Sequence, residues 1–193
     1  MCKINFKKTL PYIGSILFMI ILSYIYFSPD ILEGKVLFQG DTQQGIAIGQ
    51  EGKAFREATG ETTRWTNSLF SGMPNFQISP SYANNYWMGQ IGRIYHLGLQ
   101  SPASLVFIMM LGFFILLSAM KIRWYLALVG AIAYAFSSYF FIIIGAGHIW
   151  KFITLAYIPP TIAGIILAYR GKYIGGAALI GFFTVFNPAT APA

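Results

Sequence analysis

Three ionisable side chains stand where they could take part in chemistry, and they belong to two short motifs. Asp41 lies in FQGDTQQG, and His148 and Lys151 lie in GAGHIWK between two strongly apolar runs. A carboxylate can take a proton from a reacting group, whereas an ammonium and an imidazolium can stabilise negative charge that develops in a transition state. These residue types are therefore candidates for acid–base chemistry and for binding an anionic group.

Each of these residues also has a simpler interpretation. Asp41 fits a turn or helix cap before Thr42, and Lys151 fits an interfacial lysine whose ammonium reaches water. His148 and Lys151 are three residues apart, so on a helical turn they face the same way. The sharper interpretation of this pair is a cationic site offered to a phosphate.

The elements that carry these motifs are strongly apolar. Of the 193 residues, 56% are hydrophobic and only 10% are charged, whereas about a quarter of the residues in soluble domains are charged. A helix of about 20 apolar residues crosses a hydrocarbon core. We therefore predict an all-α, polytopic transmembrane bundle with spans at Leu10–Phe27, Ala103–Met120, Trp124–Ile144 and Phe152–Tyr169.

The predicted organisation has four parts. Residues 1–27 hold a short N-terminus and the first span, an uncleaved anchor because no small-x-small cleavage pattern follows it. Residues 28–102 form a long, partly helical extracytoplasmic loop, and residues 103–186 hold the remaining spans, of which the last apolar run is short. Residues 187–193 form an irregular C-terminus, at which we expect a longer protein to be truncated.

The charge distribution predicts how the spans are oriented. All six acidic residues lie in the first half of the long loop, whereas basic residues occupy the N-terminus and two short connections: Lys3, Lys7, Lys8, Lys121, Arg123, Arg170 and Lys172. Because basic segments are retained in the cytoplasm, we expect a cytoplasmic N-terminus and a multi-pass topology. Asp41, His148 and Lys151 then share the outer face, and the net charge of +7 indicates orientation rather than nucleic-acid binding.

Two helices are predicted within the outer loop. Gln43–Thr59 has Gly60 where a C-terminal cap is favoured. Asn85–Leu97 carries Trp and Tyr at helical spacing, which is typical of a helix on the membrane surface, and His96 within it is expected to be an ordinary interfacial residue. In the fourth span, Pro159-Pro160 removes two successive backbone donors and predicts a break or kink that opens a crevice.

Four motifs in this order resemble the N-terminal part of the bacterial YfhO family: GDTQQ, WTNSLFSGMPNFQIS, AFSSYFFIIIGAGHIWK and AYIPPTIAGIILAYRGKY. Members of that family are longer polytopic membrane proteins with a fold similar to the GT-C glycosyltransferases. The resemblance implies transfer of a sugar from a polyprenyl-phosphate donor to a cell-envelope acceptor on the outer face of the bacterial cytoplasmic membrane. It implies that Asp41 acts as a base or helps to hold a metal, and that His148 and Lys151 contact the donor phosphate.

The partners that the resemblance implies are membrane lipid, a polyprenyl-phosphate-linked sugar donor and an envelope acceptor, and no nucleic acid is expected. A divalent metal fits this chemistry, but the sequence does not assign its ligands. Two alternatives stay open. One is a lipid or solute transporter or flippase component in which the cationic pair guides an anionic head group, and the other is an inactive truncated membrane protein.

Overall fold

The computed structural model describes residues 6–35, 37–75, 90 and 92–185. These residues are mostly helical, with one short pair of strands among them. In chain order the elements are α1 (Phe6–Tyr26), α2 (Ser28–Leu32), α3 (Gly40–Thr59), β1 (Trp65–Thr66), β2 (Met73–Pro74), α4 (Ala103–Ala119), α5 (Trp124–Ala135), α6 (Ser138–Ala146), α7 (Ile149–Tyr169) and α8 (Tyr173–Val185).

Among the described helices, α1 and α7 are long and apolar enough to cross a membrane. The qualifying segments are Thr9–Tyr26 in α1 and all 21 residues of α7. Helices α5 and α6 together would supply a third span, although they meet at a bend of 45°, and α4 and α8 are apolar but shorter. The prediction of an apolar helical protein with candidate spans is therefore confirmed, while the full polytopic bundle stays a prediction.

Helix α4 lies at the centre of the packing. Residues 103–110 are all buried, because α4 packs against α1, α5 and α7, and α7 packs in turn against α8. A helix that is apolar all round is buried among other helices or in lipid. By contrast, α1 exposes apolar side chains such as Leu17 and Ile21, which is the pattern of a helix with one face toward lipid.

Small residues bring α7 and α8 into close contact. A Cβ atom at Gly164 would come 2.9 Å from the carbonyl oxygen of Gly176, and one at Gly176 would come 2.7 Å from the carbonyl oxygen of Gly164. The backbones therefore approach more closely than any side chain at these positions would allow. Close approach through small residues is the common packing mode of helices in lipid.

Of the predicted break or kink at Pro159-Pro160, the break is wrong, because α7 continues through both residues, and the kink stays a prediction. Both prolines are buried, and Gly112 of α4 lies against Pro160. A Cβ atom at Gly112 would come 2.6 Å from the carbonyl oxygen of Ala156 and 3.1 Å from Cδ of Pro160. Neighbouring helices make such prolines tolerable, and here α4 packs where a crevice was predicted.

The third apolar run was expected as one span and is instead divided into α5 and α6. Ser137 has an extended backbone (φ −66°, ψ 142°), so α5 cannot continue through it. The end of α1 packs across this bend, with the ring centre of Tyr26 lying 5.2 Å from that of Phe136 and 4.9 Å from that of Phe141. Aromatic packing therefore joins this bend to the C-terminal end of α1.

The basic connections lie together at one end of the helices. A guanidinium N–H of Arg170, just after α7, donates to the carbonyl of Ala119 at the end of α4. Lys121 and Arg123 follow α4 directly, so they share this end with Arg170 and Lys172. His148 precedes α7 and lies at the opposite end, about 31 Å away along a helix of this length.

Helix α3 confirms the predicted helix in the outer loop and extends it by three residues at its start. It runs over Gly40–Thr59 and ends at Gly60, which has a left-handed backbone (φ 76°) and donates its amide to the carbonyl of Arg56 at 2.8 Å. Of the predicted surface helix Asn85–Leu97, residues 85–89 and 91 lie outside the described residues. Residues 92–95 are helical, and burial lowers the pKa of His96, which favours a neutral imidazole there.

Glu51 attaches the β1–β2 hairpin to α3. Its Oε2 accepts hydrogen bonds from Oγ1 of Thr66 at 2.6 Å, from the amide of Asn67 at 2.8 Å and from Oγ of Ser68 at 2.9 Å. Its Oε1 accepts one from Nδ2 of Asn67 at 3.1 Å. Donors that favour the ionised carboxylate, Thr66 foremost, lower the pKa of Glu51 from 4.5 to about 2.

Replacing Gly112 with alanine should destabilise the contact between α4 and α7, because the added methyl group collides with the carbonyl of Ala156. Overpacking of this kind typically costs about 1–3 kcal/mol. The matched control is Gly181→Ala in α8, where a Cβ atom meets nothing within 4 Å. Thermal unfolding in detergent, followed by circular dichroism, should show a lower midpoint for Gly112→Ala alone, and equal midpoints would contradict the packing described above.

The attachment of the hairpin should depend on pH through Glu51. Because its pKa is about 2 in the folded protein against 4.5 otherwise, its stabilising contribution is fully present above pH 4.5 and is lost as the pH falls through about 2. NMR signals of the Asn67 amide and the Trp65 indole should follow this loss. Glu51→Gln should abolish it, whereas the control Glu57→Gln should not. A wild-type transition centred at pH 4.5 would contradict the four hydrogen bonds.

Candidate functional site

Asp41 is placed by the start of α3. Gln39 has an extended backbone (φ −125°, ψ 112°), and its carbonyl accepts the amide of Gln43 at 3.1 Å, so the helix begins at Gly40. Asp41 therefore lies in the first turn of the helix rather than in a turn that precedes it. The amide groups of a first turn carry partial positive charge, which favours a carboxylate at this position.

His148 is placed by the turn between α6 and α7. Gly147 ends α6 with a left-handed backbone (φ 93°), and the amides of Gly147 and His148 donate to the carbonyls of Ile144 and Ile143, each at 3.1 Å. This is the Schellman arrangement, in which a glycine closes the end of a helix. His148 is also the residue from which α7 starts, so its imidazole is attached to the end of a long, packed helix.

The structure brings Asp41 and His148 into contact. Nδ1 of His148 lies 2.8 Å from Oδ2 of Asp41, and the two side chains are 52% and 48% exposed. Because a carboxylate only accepts hydrogen bonds, the imidazole must carry its proton on Nδ1 and donate it. This leaves Nε2 of His148 and Oδ1 of Asp41 outside the contact. A half-exposed pair contributes only about 0–1 kcal/mol, so other contacts must fix its geometry.

Gln39 and Gly147 supply those contacts. Nε2 of Gln39 donates to the carbonyl of Ile144 at 2.6 Å, and its Oε1 accepts a hydrogen bond from Oγ1 of Thr42 at 3.0 Å. A Cβ atom at Gly147 would come 3.1 Å from the backbone nitrogen of Thr42 and 3.2 Å from Cβ of Gln39. The start of α3 is thus pressed against the turn between α6 and α7. We name the set of residues that does this the loop anchor: Gln39, Asp41, Thr42, Gly147 and His148.

Lys151 does not join this contact. Its ammonium lies 5.7 Å from the ring centre of Tyr139, a cation–π distance, and within the described part of the chain it makes no ion pair with a carboxylate. The expected cationic pair is therefore divided, since His148 contacts a carboxylate and Lys151 contacts an aromatic ring. That both residues bind one phosphate stays a prediction.

The same region offers few ligands to a metal ion. Across residues 6–35, 37–75, 90 and 92–185, no group of three or more His, Cys, Asp or Glu side chains is placed to share a metal ion. Asp41 and His148 offer one oxygen and one nitrogen ligand. The metal that the resemblance implies thus has two candidate ligands here, and the requirement for it stays a prediction.

Sequence reasoning missed three residues of this region: Gln39, Gly147 and Tyr139. Gln39 belongs to the same motif as Asp41, but its partner Ile144 is 105 residues away, and no spacing rule connects them. Gly147 could have been found, because a glycine after an apolar run is a signal for the end of a helix. The contact of Tyr139 with Lys151 depends on how α6 and α7 fold back on each other.

Comparisons with models of known protein families, with curated proteins and with solved structures give no match to this chain. The resemblance to the YfhO family accordingly stays a prediction that rests on the four sequence motifs.

Replacing Gln39 with leucine, which has a similar size, should loosen the loop anchor. It removes two hydrogen bonds, each with a net contribution of about 1 kcal/mol. Hydrogen exchange followed by mass spectrometry should become faster over the first turns of α3 and stay unchanged in α4. The control is Gln50→Leu, at an exposed position of the same helix. Equal exchange in both variants would show that Gln39 does not hold α3 in place.

Proposed function

We propose that this chain is the N-terminal portion of a membrane glycosyltransferase with a GT-C-like, polytopic bundle. It transfers a sugar from a polyprenyl-phosphate donor to a cell-envelope acceptor on the outer face of the bacterial cytoplasmic membrane. The observation that carries the proposal is the contact between Asp41 and His148, which joins a proton acceptor to a group able to carry positive charge. The four sequence motifs supply the reaction type.

The arrangement of charge along the helices supports an outer location for this site. Lys121, Arg123, Arg170 and Lys172 share the end of the helices where Arg170 meets Ala119, and basic connections favour the cytoplasm. Asp41 and His148 lie at the other end of α7. A site at that end is reached by a lipid-linked donor in the outer leaflet and by an acceptor in the envelope.

Asp41 has the role of general base. An acceptor hydroxyl is a poor nucleophile, and a positioned carboxylate that takes its proton accelerates the attack by about 10²–10⁴-fold. Because Oδ2 of Asp41 is bonded to His148, the proton moves to Oδ1. The acceptor oxygen forms the new bond to the anomeric carbon of the sugar as the proton leaves.

His148 and Lys151 have the role of stabilising the leaving group. The bond between the anomeric carbon and the phosphate oxygen breaks, and its electron pair stays on the polyprenyl phosphate. A protonated His148 can donate from Nε2 to that phosphate while its Nδ1 remains bonded to Asp41. The ammonium of Lys151, which lies over the ring of Tyr139, supplies a second positive charge. Such groups accelerate a reaction because the charge they meet is larger in the transition state than in the ground state.

Replacing Asp41 with asparagine tests this assignment. Asparagine keeps an oxygen that can accept the hydrogen bond from His148, but it cannot take a proton from the acceptor. Transfer of radiolabelled sugar to the envelope acceptor in membranes should therefore fall at least about 100-fold at an unchanged level of protein. Asp30→Asn, in α2 of the same outer loop, is the control and should leave transfer unaltered.

The product of the reaction decides between the proposed function and its alternatives. Full transfer by Asp41→Asn would remove Asp41 from the mechanism. If the wild-type protein links no sugar to an acceptor but moves intact lipid across vesicles, the protein is a transporter and the proposal is wrong. If it does neither, the chain has no activity of its own.

A further inference from the structure

A second polar feature lies at the far end of α3 from Asp41. A cleft of about 100 Å³ separates the C-terminal half of this helix from the β1–β2 hairpin. Its polar lining comes from Lys53 and Arg56 on the helix and from Thr62 and Asn75 on the other side. From Asp41 to Arg56 the helix rises about 22 Å, so the cleft is separate from the loop anchor.

The cations of the cleft are available to a ligand. Lys53 and Arg56 are three residues apart and lie on the same side of α3. Lys53 has only a loose ion pair with Glu57, at 3.8 Å between two side chains that are each about two-thirds exposed, and such pairs contribute little. Arg56 makes no ion pair with any carboxylate in the described ranges. A guanidinium of this kind presents five N–H donors that match the geometry of an oxyanion.

The opposite wall of the cleft is held in place. Asn75 donates from Nδ2 to the carbonyl of Thr63 at 3.1 Å, and its amide donates to the carbonyl of Arg64 at 2.8 Å. Thr66, which also lines the cleft, is bonded to Glu51. The carboxylate of Glu51 accepts four hydrogen bonds from the hairpin, and in the described ranges it makes no ion pair with Arg56. The cleft therefore needs little rearrangement to accept a ligand.

Part of the lining of the cleft is backbone that carries no side chain. Gly49 lines it, and a Cβ atom at Gly49 would meet nothing within 4 Å. Alanine would favour the helix at this position, so neither packing nor backbone conformation requires the glycine. Gly45, one turn earlier, is equally open but does not line the cleft, which provides a matched pair of positions.

We propose that this cleft is a binding site for a single phosphate group, with Arg56 as its principal contact and Lys53 as a second cation. The size of the cleft suits one tetrahedral oxyanion rather than a nucleotide or a sugar chain. The proposal does not depend on the proposed sugar transfer, because it concerns binding at a different end of α3.

In the test, the full chain in neutral detergent is titrated with inorganic phosphate, and the NMR signals of the Arg56 and Asn75 side chains are monitored. Saturable shifts are expected. Arg56→Gln should weaken the affinity at least about fivefold, about 1 kcal/mol, while Arg93→Gln, an exposed arginine elsewhere in the loop, should not. Gly49→Ala should also weaken it, whereas Gly45→Ala should bind as the wild type does.

A second arm identifies the source of the phosphate group. The same signals are followed in nanodiscs of neutral lipid and in nanodiscs that contain phosphatidylglycerol, without added phosphate. Shifts that occur only with phosphatidylglycerol assign the group to a lipid head group, and shifts that occur only with inorganic phosphate assign it to a soluble ligand. The absence of saturable shifts in both arms, or an unchanged affinity in Arg56→Gln, would overturn the proposal.

Discussion

The loop anchor, which includes the contact of His148 with Asp41, determines where α3 meets the apolar helices. It joins the first turn of α3 to the turn before α7, two segments that are more than a hundred residues apart in the chain. By itself a half-exposed pair is too weak to fix such a junction. Its geometry is set by uncharged contacts around it, namely the hydrogen bond from Gln39 to Ile144 and the close approach of Gly147 to Thr42. The neighbours of the pair therefore hold its two side chains in position.

The core explains why Gln39 can reach α6 at all. The aromatic ring of Tyr26, at the end of α1, packs against Phe136 and Phe141 on either side of the bend between α5 and α6. The chain therefore leaves α1 beside α6, and only α2 and a short segment separate it from Gln39. The contacts of Tyr26 thus place the bend at Ser137 beside the end of α1, from which the chain continues to the loop anchor.

The sequence was sufficient for features that depend on local pattern. Apolar runs located the helices, and Gly60 marked the end of α3. Asp41 and His148, expected on one face of the membrane, contact each other, while their outer location stays a prediction. The sequence was insufficient where packing overrides a local rule. The pair Pro159-Pro160 indicates a break on propensity, but Gly112 allows α4 to pack against this stretch and α7 continues. Helical spacing likewise predicted that His148 and Lys151 act as a pair. In the structure, His148 instead contacts Asp41 at the start of α3, and Lys151 contacts the ring of Tyr139.

The two halves of the candidate site differ in how firmly they are held. His148 precedes α7, a helix fixed along its length by α4 and by the close glycine contacts of α8. Asp41 belongs to α3, which has no buried residue among its twenty and is attached to the apolar helices through the loop anchor. Contacts of a few exposed polar groups open far more readily than a buried helix interface does. Any separation of the carboxylate from the imidazole is therefore a movement of α3 and its hairpin, while His148 and the helices behind it stay in place.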